Sequence, residues 1–348
     1  MSGNGKTDIR SLTAEELTAF FGTLKEKRFR AGQVYSWLWQ KGCRSFDEMT
    51  DIPGQLRNQL AQTFTFHTAV DELETESTDG TLKISFRLHD GLAVEGVLIP
   101  LNGRTTACIS SQAGCALGCT FCATGFLGLH RNLTAGEIVD QVWLLNRRSI
   151  TAQLGPLSNI VYMGMGEPLV NYQQVIGSVR FITWEEGLGI SPQRITLSSV
   201  GIPKMIRKLA DDNVKAQLAV SLHAAADAKR DLIIPFNRTH PLEELIESLI
   251  YYVRIRGKRF TIEYLLLKDF NDSLQDAQEL AVFCRNFPVK INLIEYNPVE
   301  GSLYRRSDVK RMKSFRDFLE ARNLVVNVRK SRGKDIDAAC GQLAGRIR

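Results

Sequence analysis

Apolar positions recur every three or four residues through three short stretches near the N-terminus, SLTAEELTAFFGTLKEK, AGQVYSWLWQKG and IPGQLRNQLAQTF, with Gly and Pro between them. That period predicts amphipathic helices and a small helical unit over residues 1–70. Two strand-like runs follow, TLKISFRL and LAVEGVLIP, joined through His89, Asp90 and Gly91, whose turn chemistry predicts a hairpin linking residues 71–100 to what comes next. After Pro100 the pattern alternates. Apolar runs TACISSQ, NIVYMGMG, RITLSSVG, AQLAVSLH, FTIEYLLL and VKINLIEYN are separated by amphipathic segments such as AGEIVDQVWLLNRR and LEELIESLIYYVRIR, and a sixth helix, VKRMKSFRDFLEAR, precedes a last strand, LVVNVRKS. Six βα units in a row predict an α/β core over residues 101–330, a parallel sheet covered by helices and either curled into a barrel or doubly wound. In both arrangements chemistry gathers at the C-terminal ends of the strands. A tail, residues 331–348, completes the chain, and no repeat or low-complexity tract interrupts it.

Composition changes this picture little: 44% of the 348 residues are hydrophobic and 24% charged, as in ordinary globular proteins. No apolar run approaches the roughly eighteen residues of a membrane span, and the N-terminus has no apolar signal core, so a cytoplasmic protein without a membrane partner is expected. Seven cysteines, an odd number, do not form the disulfide framework of a small secreted domain. In a reducing compartment they serve metal binding, catalysis or burial.

Charge is more informative. Residues 301–348 hold 13 Lys or Arg against five carboxylates, a net +8, while the rest of the chain carries −2 of the total +6. Such a concentration suits a polyanion such as RNA or DNA, or else forms the solvated face of the VKRMKSFRDFLEAR helix. Basic residues near Phe29, Tyr35, Trp37 and Trp39 offer a second surface of that kind, unless the tryptophans belong to the helical core.

The stretch GCALGCTFC carries the sharpest chemistry. Cys115, Cys119 and Cys122 stand at spacing CxxxCxxC in the loop after the first core strand, and no second knuckle completes a zinc tetrahedron. Iron–sulfur clusters are also held by thiolates, and a cubane anchored by three cysteines keeps one iron free for a further ligand. Zinc borrowing Cys108, or simple packing, are the alternatives. About forty residues on, MGMGEP at the end of the second strand offers Gly166, whose backbone can approach a ligand, and Glu167, which can accept from an ammonium group; alone it could be a tight turn before Pro168.

The CxxxCxxC loop with Phe121 before its last cysteine, followed by MGMGEP, is similar to the radical S-adenosylmethionine superfamily. Longer strings, ACISSQAGCALGCTFCATG, RNLTAGEIVDQV, MGMGEPLVN, SLHAA and DIDAACGQLAG, resemble the RlmN/Cfr family of radical RNA methyltransferases over nearly the whole chain. GEPLVN brings the sequence closer to the RlmN branch, which methylates adenine C2, than to Cfr, which methylates C8. The resemblance implies a partial (β/α)6 barrel with an N-terminal RNA-binding accessory domain, and a [4Fe-4S] cluster on Cys115, Cys119 and Cys122. It implies S-adenosylmethionine contacts from Gly166, Glu167, Ser198, Ser221, Leu222, His223 and Asn297.

C2 of adenine is electron-poor and does not attack a methyl sulfonium, but a carbon radical adds to it. The family's relay therefore implies that one S-adenosylmethionine methylates Cys340 and that a second, cleaved reductively, makes that methyl group a radical. The adduct is then resolved by Cys108 with a transient disulfide, and Glu95 serves as acid/base. Read without the family, Glu95 in LAVEGVLIP is equally an outward-facing strand residue. The implied partners are 23S ribosomal RNA at adenine 2503, transfer RNA at adenine 37, and a flavodoxin-like or ferredoxin-like electron donor, with the enzyme a monomer. C8 methylation, or a non-catalytic RNA-binding protein with a zinc-held loop, are the rivals. Cys43 and Cys284 match nothing and read as structural.

Overall fold

The computed structural model describes residues 5–345, so the last three residues of the basic segment lie outside the described residues. One ten-stranded sheet organises it: β1 (Val70–Glu76), β2 (Leu82–Arg87), β3 (Ala93–Leu101), β4 (Arg104–Cys108), β5 (Asn159–Tyr162), β6 (Ile195–Ser199), β7 (Gln217–Ser221), β8 (Phe260–Leu266), β9 (Val289–Glu295) and β10 (Val325–Arg329). Strands adjacent in the chain are adjacent in the sheet throughout, β1 to β4 antiparallel and β4 to β10 parallel.

That order decides between the two architectures left open by the sequence. A doubly wound sheet reverses direction at a switch point; here every crossover steps the same way, as in a barrel. Closure is prevented because the free edge of β4 is taken by β3, which leaves a partial barrel with an antiparallel extension.

The helices between parallel strands are built as their sequences suggest. The helix Ala135–Thr151 starts at Thr134, whose hydroxyl accepts from Glu137 N while the Glu137 carboxylate accepts from Thr134 N, a reciprocal capping box. Ser273 and Asp276 do the same for Leu274–Cys284. The basic helix Val309–Glu320 buries Met312, Phe315 and Leu319 and turns its Lys and Arg residues outward. Among the described residues no helix is long and apolar enough to cross a membrane.

Strand β1 was not legible from alternation. Its sequence, VDELETE, has four acidic residues in seven and is almost wholly exposed; it forms the sheet edge, where charge is a defence against pairing with other chains. The expected hairpin is therefore a three-stranded meander.

Before it, three helices (Ala14–Thr23, Phe29–Trp39, Gly54–Thr63) pack on the barrel. Trp39 is buried and stacks on Phe181 with centroids 3.5 Å apart, so it is a core residue and not a platform for bases. Trp37 is half-buried, with Lys41 Nζ 3.6 Å from its ring centroid.

A buried cation fastens this helical unit. Arg10 donates to Asp140 Oδ1 at 2.8 Å, to His67 O at 2.9 Å and to Asp8 Oδ2 at 3.3 Å. Removing one partner of a buried pair leaves charges uncompensated. Arg10→Ala is therefore expected to lower the unfolding free energy by about 3–5 kcal/mol in urea titration, with the N-terminal helices the first to lose protection from hydrogen exchange.

Candidate active site

Past Cys108 the chain runs through Ser110 and Ser111 into a short strand, Gln112–Gly114, paired antiparallel with Leu129–Asn132; the three-cysteine loop is the excursion between them. Its winding is fixed by close backbone contacts. Gly114 has φ +79°, and a Cβ there would overlap the Gly128 carbonyl, which already accepts from Cys115 N at 2.8 Å. A Cβ on Gly125 would lie 2.7 Å from Cys119 O. The result brings Cys115, Cys119 and Cys122 onto one cavity of about 130 Å³, shared with Gly166, Glu167, Ser198, Ser221 and His223.

Burial pushes the Cys115 thiol up to about 11 and Cys119 well above its ordinary value, so bare thiolates are unfavourable at those two positions. Bound iron would reverse that balance, since a metal's charge stabilises the thiolate form. Among the described residues no three His, Cys, Asp or Glu side chains converge as ligands of one metal ion. The three thiols instead surround a common space, which fits a cluster.

The glycines of MGMGEP line this cavity and also serve a close approach within the protein. Gly164 and Gly166 (φ +97°) let this turn press on the segment leading into the cysteine loop: a Cβ on Gly164 would come within 2.7 Å of the Ile109 carbonyl, and one on Gly166 within 2.5 Å of Gln112 Cβ. The close approach is thus to protein, with ligand space on the other side. Glu167 is buried; its carboxylate accepts from Leu169 N at 3.0 Å and Val200 N at 2.9 Å. Burial pushes its pKa up to about 7 against those two donors. An ammonium group arriving in the cavity would offset that desolvation.

Ser198 and Ser221, at the ends of β6 and β7, are 3.3 Å apart through their hydroxyls. His223 adopts φ +59°, and its Nδ1 accepts from Leu265 N at 3.1 Å, so the proton of the neutral ring resides on Nε2. Burial, helped by Arg230, lowers its pKa to about 3. The ring is therefore a neutral donor, held edge-on to Phe121 at 4.8 Å. Leu222 is different: its side chain is fully buried in the core, and its carbonyl accepts from Arg230 Nε at 3.1 Å. Asn297 donates to Ser331 Oγ at 3.0 Å and to Cys340 O at 3.3 Å. Its Oδ1 is buried without a partner, but Asn297 does not line the cavity of the three cysteines.

A second, larger cavity of about 680 Å³ lies on the inner face of the barrel and contains Cys108, with Ile99, Val161 and Val328 among its walls and Lys330 and Arg332 at its edge. Cys340, Arg329 and Met163 line both cavities. Burial pushes the Cys108 thiol up to about 12, and Arg329 counteracts that shift, whereas Cys340 is exposed.

Arg329 pairs with Glu263 Oε2 at 3.4 Å, and Glu263 accepts from Asn292 Nδ2 at 2.9 Å. Sequence reasoning missed this pair, although one acid inside the otherwise apolar FTIEYLLL was a signal. Arg230 was missed too; fully buried, it ties the ends of β6 and β7 through the Val200 and Leu222 carbonyls.

The tail bearing Cys340 is bound to the cysteine loop: Gly341 O accepts from Ala123 N at 2.7 Å and Leu343 O from Thr124 Oγ1 at 2.6 Å. Glu95 is not brought into the chamber of Cys108 and Cys340. It lines a separate recess, where Oε2 accepts from Ala344 N at 2.8 Å and Gly345 N at 3.2 Å and Oε1 lies 3.6 Å from Lys83 Nζ. Cys43 and Cys284 are buried and line neither cavity.

Comparison with known proteins adds to this geometry. Residues 7–66 match the family profile described as the ribosomal RNA large subunit methyltransferase N-terminal domain, and residues 109–281 match the radical SAM superfamily. The chain is 52% identical to a probable dual-specificity RNA methyltransferase RlmN of Christiangramia forsetii, covering 98% of this chain and 97% of that protein. It is 47% identical to a dual-specificity RNA methyltransferase RlmN of an Anaeromyxobacter species, over 97% and 91%. A crystal structure of a radical SAM methyltransferase from Sphaerobacter thermophilus superimposes with TM-score 0.91 at 42% identity, covering 98% of this chain and all of that one.

Proposed function

Since the chain belongs to the RlmN family of radical S-adenosylmethionine RNA methyltransferases, we propose that it methylates C2 of adenine in 23S ribosomal RNA and in transfer RNA, with Cys340 as the carrier of the carbon. The observation that carries this reading is the position of Cys340 on the boundary of two chambers, one lined by the three loop cysteines and the other by Cys108.

Family membership implies a [4Fe-4S] cluster and S-adenosylmethionine. Cys115, Cys119 and Cys122 would hold the first; Glu167, Ser198, Ser221, His223, Asn297 and the backbone around Gly166 and Leu222 would receive the second. Bound together, these groups supply a methyl group and a carbon-centred radical.

The protein's own part is to bind, orient and exchange. Apolar walls in the larger chamber accept a purine taken out of its stack, and Lys330 and Arg332 at its edge suit the flanking phosphates. Once RNA is joined to Cys340 through carbon, the Cys108 thiolate attacks the Cys340 sulfur. The carbon–sulfur bond breaks as the disulfide forms, its electron pair stays with the departing carbon, and that carbon takes up a proton to become the methyl group; cellular thiols reduce the disulfide, and a flavodoxin-like or ferredoxin-like donor supplies the electron for the radical step. Glu95 takes the C2 proton. Because two tail N–H groups occupy its carboxylate in the arrangement described above, that role requires Ala344 and Gly345 to move away.

The test is nucleoside analysis of ribosomal and transfer RNA after reaction with the reconstituted enzyme. 2-Methyladenosine is expected in both. 8-Methyladenosine would overturn the choice of carbon, and unmodified RNA would overturn the activity.

A further inference from the structure

The sequence DIDAACGQLAG contains more than its cysteine. Five residues before Cys340, Asp335 accepts from the Ser77 hydroxyl at 2.5 Å and from Thr78 N and Oγ1 at 3.0 and 3.2 Å. These groups belong to the turn between β1 and β2, itself closed by Ser77 N to Thr81 O at 2.8 Å and Gly80 N to Ser77 O at 2.9 Å. The contact is reciprocated: Asp79 Oδ2 accepts from Gly333 N at 3.1 Å, and Asp79 O from Arg332 Nη1 at 3.0 Å. Gly333 is needed at this crossing, since with φ +66° a Cβ there would stand 2.7 Å from Ala338 Cβ and 3.0 Å from Thr81 Cγ2. Four residues after Cys340 the tail is held again, by Glu95 on the strand β3. The carrier thiol thus sits midway between two anchors on one meander.

We propose that Asp335, with the Ser77–Thr78 turn, is a positioning residue that fixes Cys340 on the boundary between the two chambers. It touches neither cavity that contains Cys340 and acts only through the backbone that it pins. A tethered group has a high effective concentration toward its partner, and releasing one anchor spreads that group over a larger volume. The hydroxyl of Ser77 and the N–H of Thr78 keep the Asp335 carboxyl below its usual range, so the anchor accepts as a full carboxylate. The importance of Cys340 rests on the function proposed above; the tether can be measured independently.

The experiment equilibrates the cluster-loaded protein anaerobically in glutathione buffers, quenches with acid and quantifies the Cys108–Cys340 disulfide by peptide mapping, in the fraction whose Cys340 is unmodified. Each linkage transfers two electrons and two protons from the thiols to one glutathione disulfide, releasing two glutathione molecules. Asp335→Ala is expected to lower the effective concentration of the pair by about tenfold. Asp335→Asn keeps an acceptor oxygen and should recover most of that loss. In turnover, Asp335→Ala should depress kcat with the KM for RNA unchanged.

Parental disulfide formation in Asp335→Ala would overturn the proposal, as would an Asn variant no better than Ala. Should Asp335→Ala lose its iron, the pair Ser77→Ala and Thr78→Val removes the two hydroxyl donors and must show the same direction of change. A protein that shows the tenfold change but never methylates RNA would refute the function proposed above and leave the tether standing.

Discussion

A Cys108→Ala protein supplied with RNA, S-adenosylmethionine and reductant is expected to run as a covalent protein–RNA conjugate, joined at Cys340. The argument is one of access. After carbon–carbon bond formation the RNA leaves only when a thiolate attacks the Cys340 sulfur, and attack must come from the larger chamber, where Cys108 is lodged. Burial pushes its thiol up to about 12, and the positive charge of Arg329 opposes that shift without cancelling it. Small thiols added to the medium have no such preorganised position. Free methylated RNA should fall by about two orders of magnitude or more, and peptide mapping should find nucleotide mass on the Cys340 fragment alone. Release of methylated RNA at the parental rate would remove Cys108 from the scheme.

The largest loss is expected from Cys340→Ala. No other thiol lines both chambers, so nothing else can take a methyl group on one side and deliver carbon on the other. Methylation of RNA should drop below detection. Iron content and RNA affinity should stay at parental values, because Cys340 is none of the three loop thiols and the basic surface is untouched. Supplying methyl-labelled S-adenosylmethionine to the parent should put label on the Cys340 peptide before any reaches RNA. A variant that retains methylation would show that the carbon travels by another route.

Much of this was legible in the chain because it is local. The period of the apolar residues gave the six βα units, and the CxxxCxxC and MGMGEP strings sit where those units place strand ends. Trp39 was ambiguous for a physical reason: an aromatic among basic residues looks the same whether it faces RNA or Phe181, and only the packing of the N-terminal helices on the barrel decides.

What stayed hidden is made of pairings between distant segments. Arg10 with Asp140, Arg329 with Glu263, and Asp335 with Ser77 and Thr78 each join residues far apart in the chain, and a lone charge carries no mark of its partner. The strand VDELETE escaped because an edge exposed to water needs no apolar alternation. Glu95 shows the limit from the other direction: family resemblance supplies a role, while the fold puts its carboxylate against the tail's backbone.

The hydrogen bonds from Ala123 and Thr124 to the tail give the loop of thiols a second duty. Whatever loosens that loop, whether loss of iron or oxidation of its sulfurs, also unfastens Gly341 and Leu343 beside the carrier. Damage at the centre would therefore misplace Cys340 as well, so that loss of the cluster and loss of carrier alignment come together.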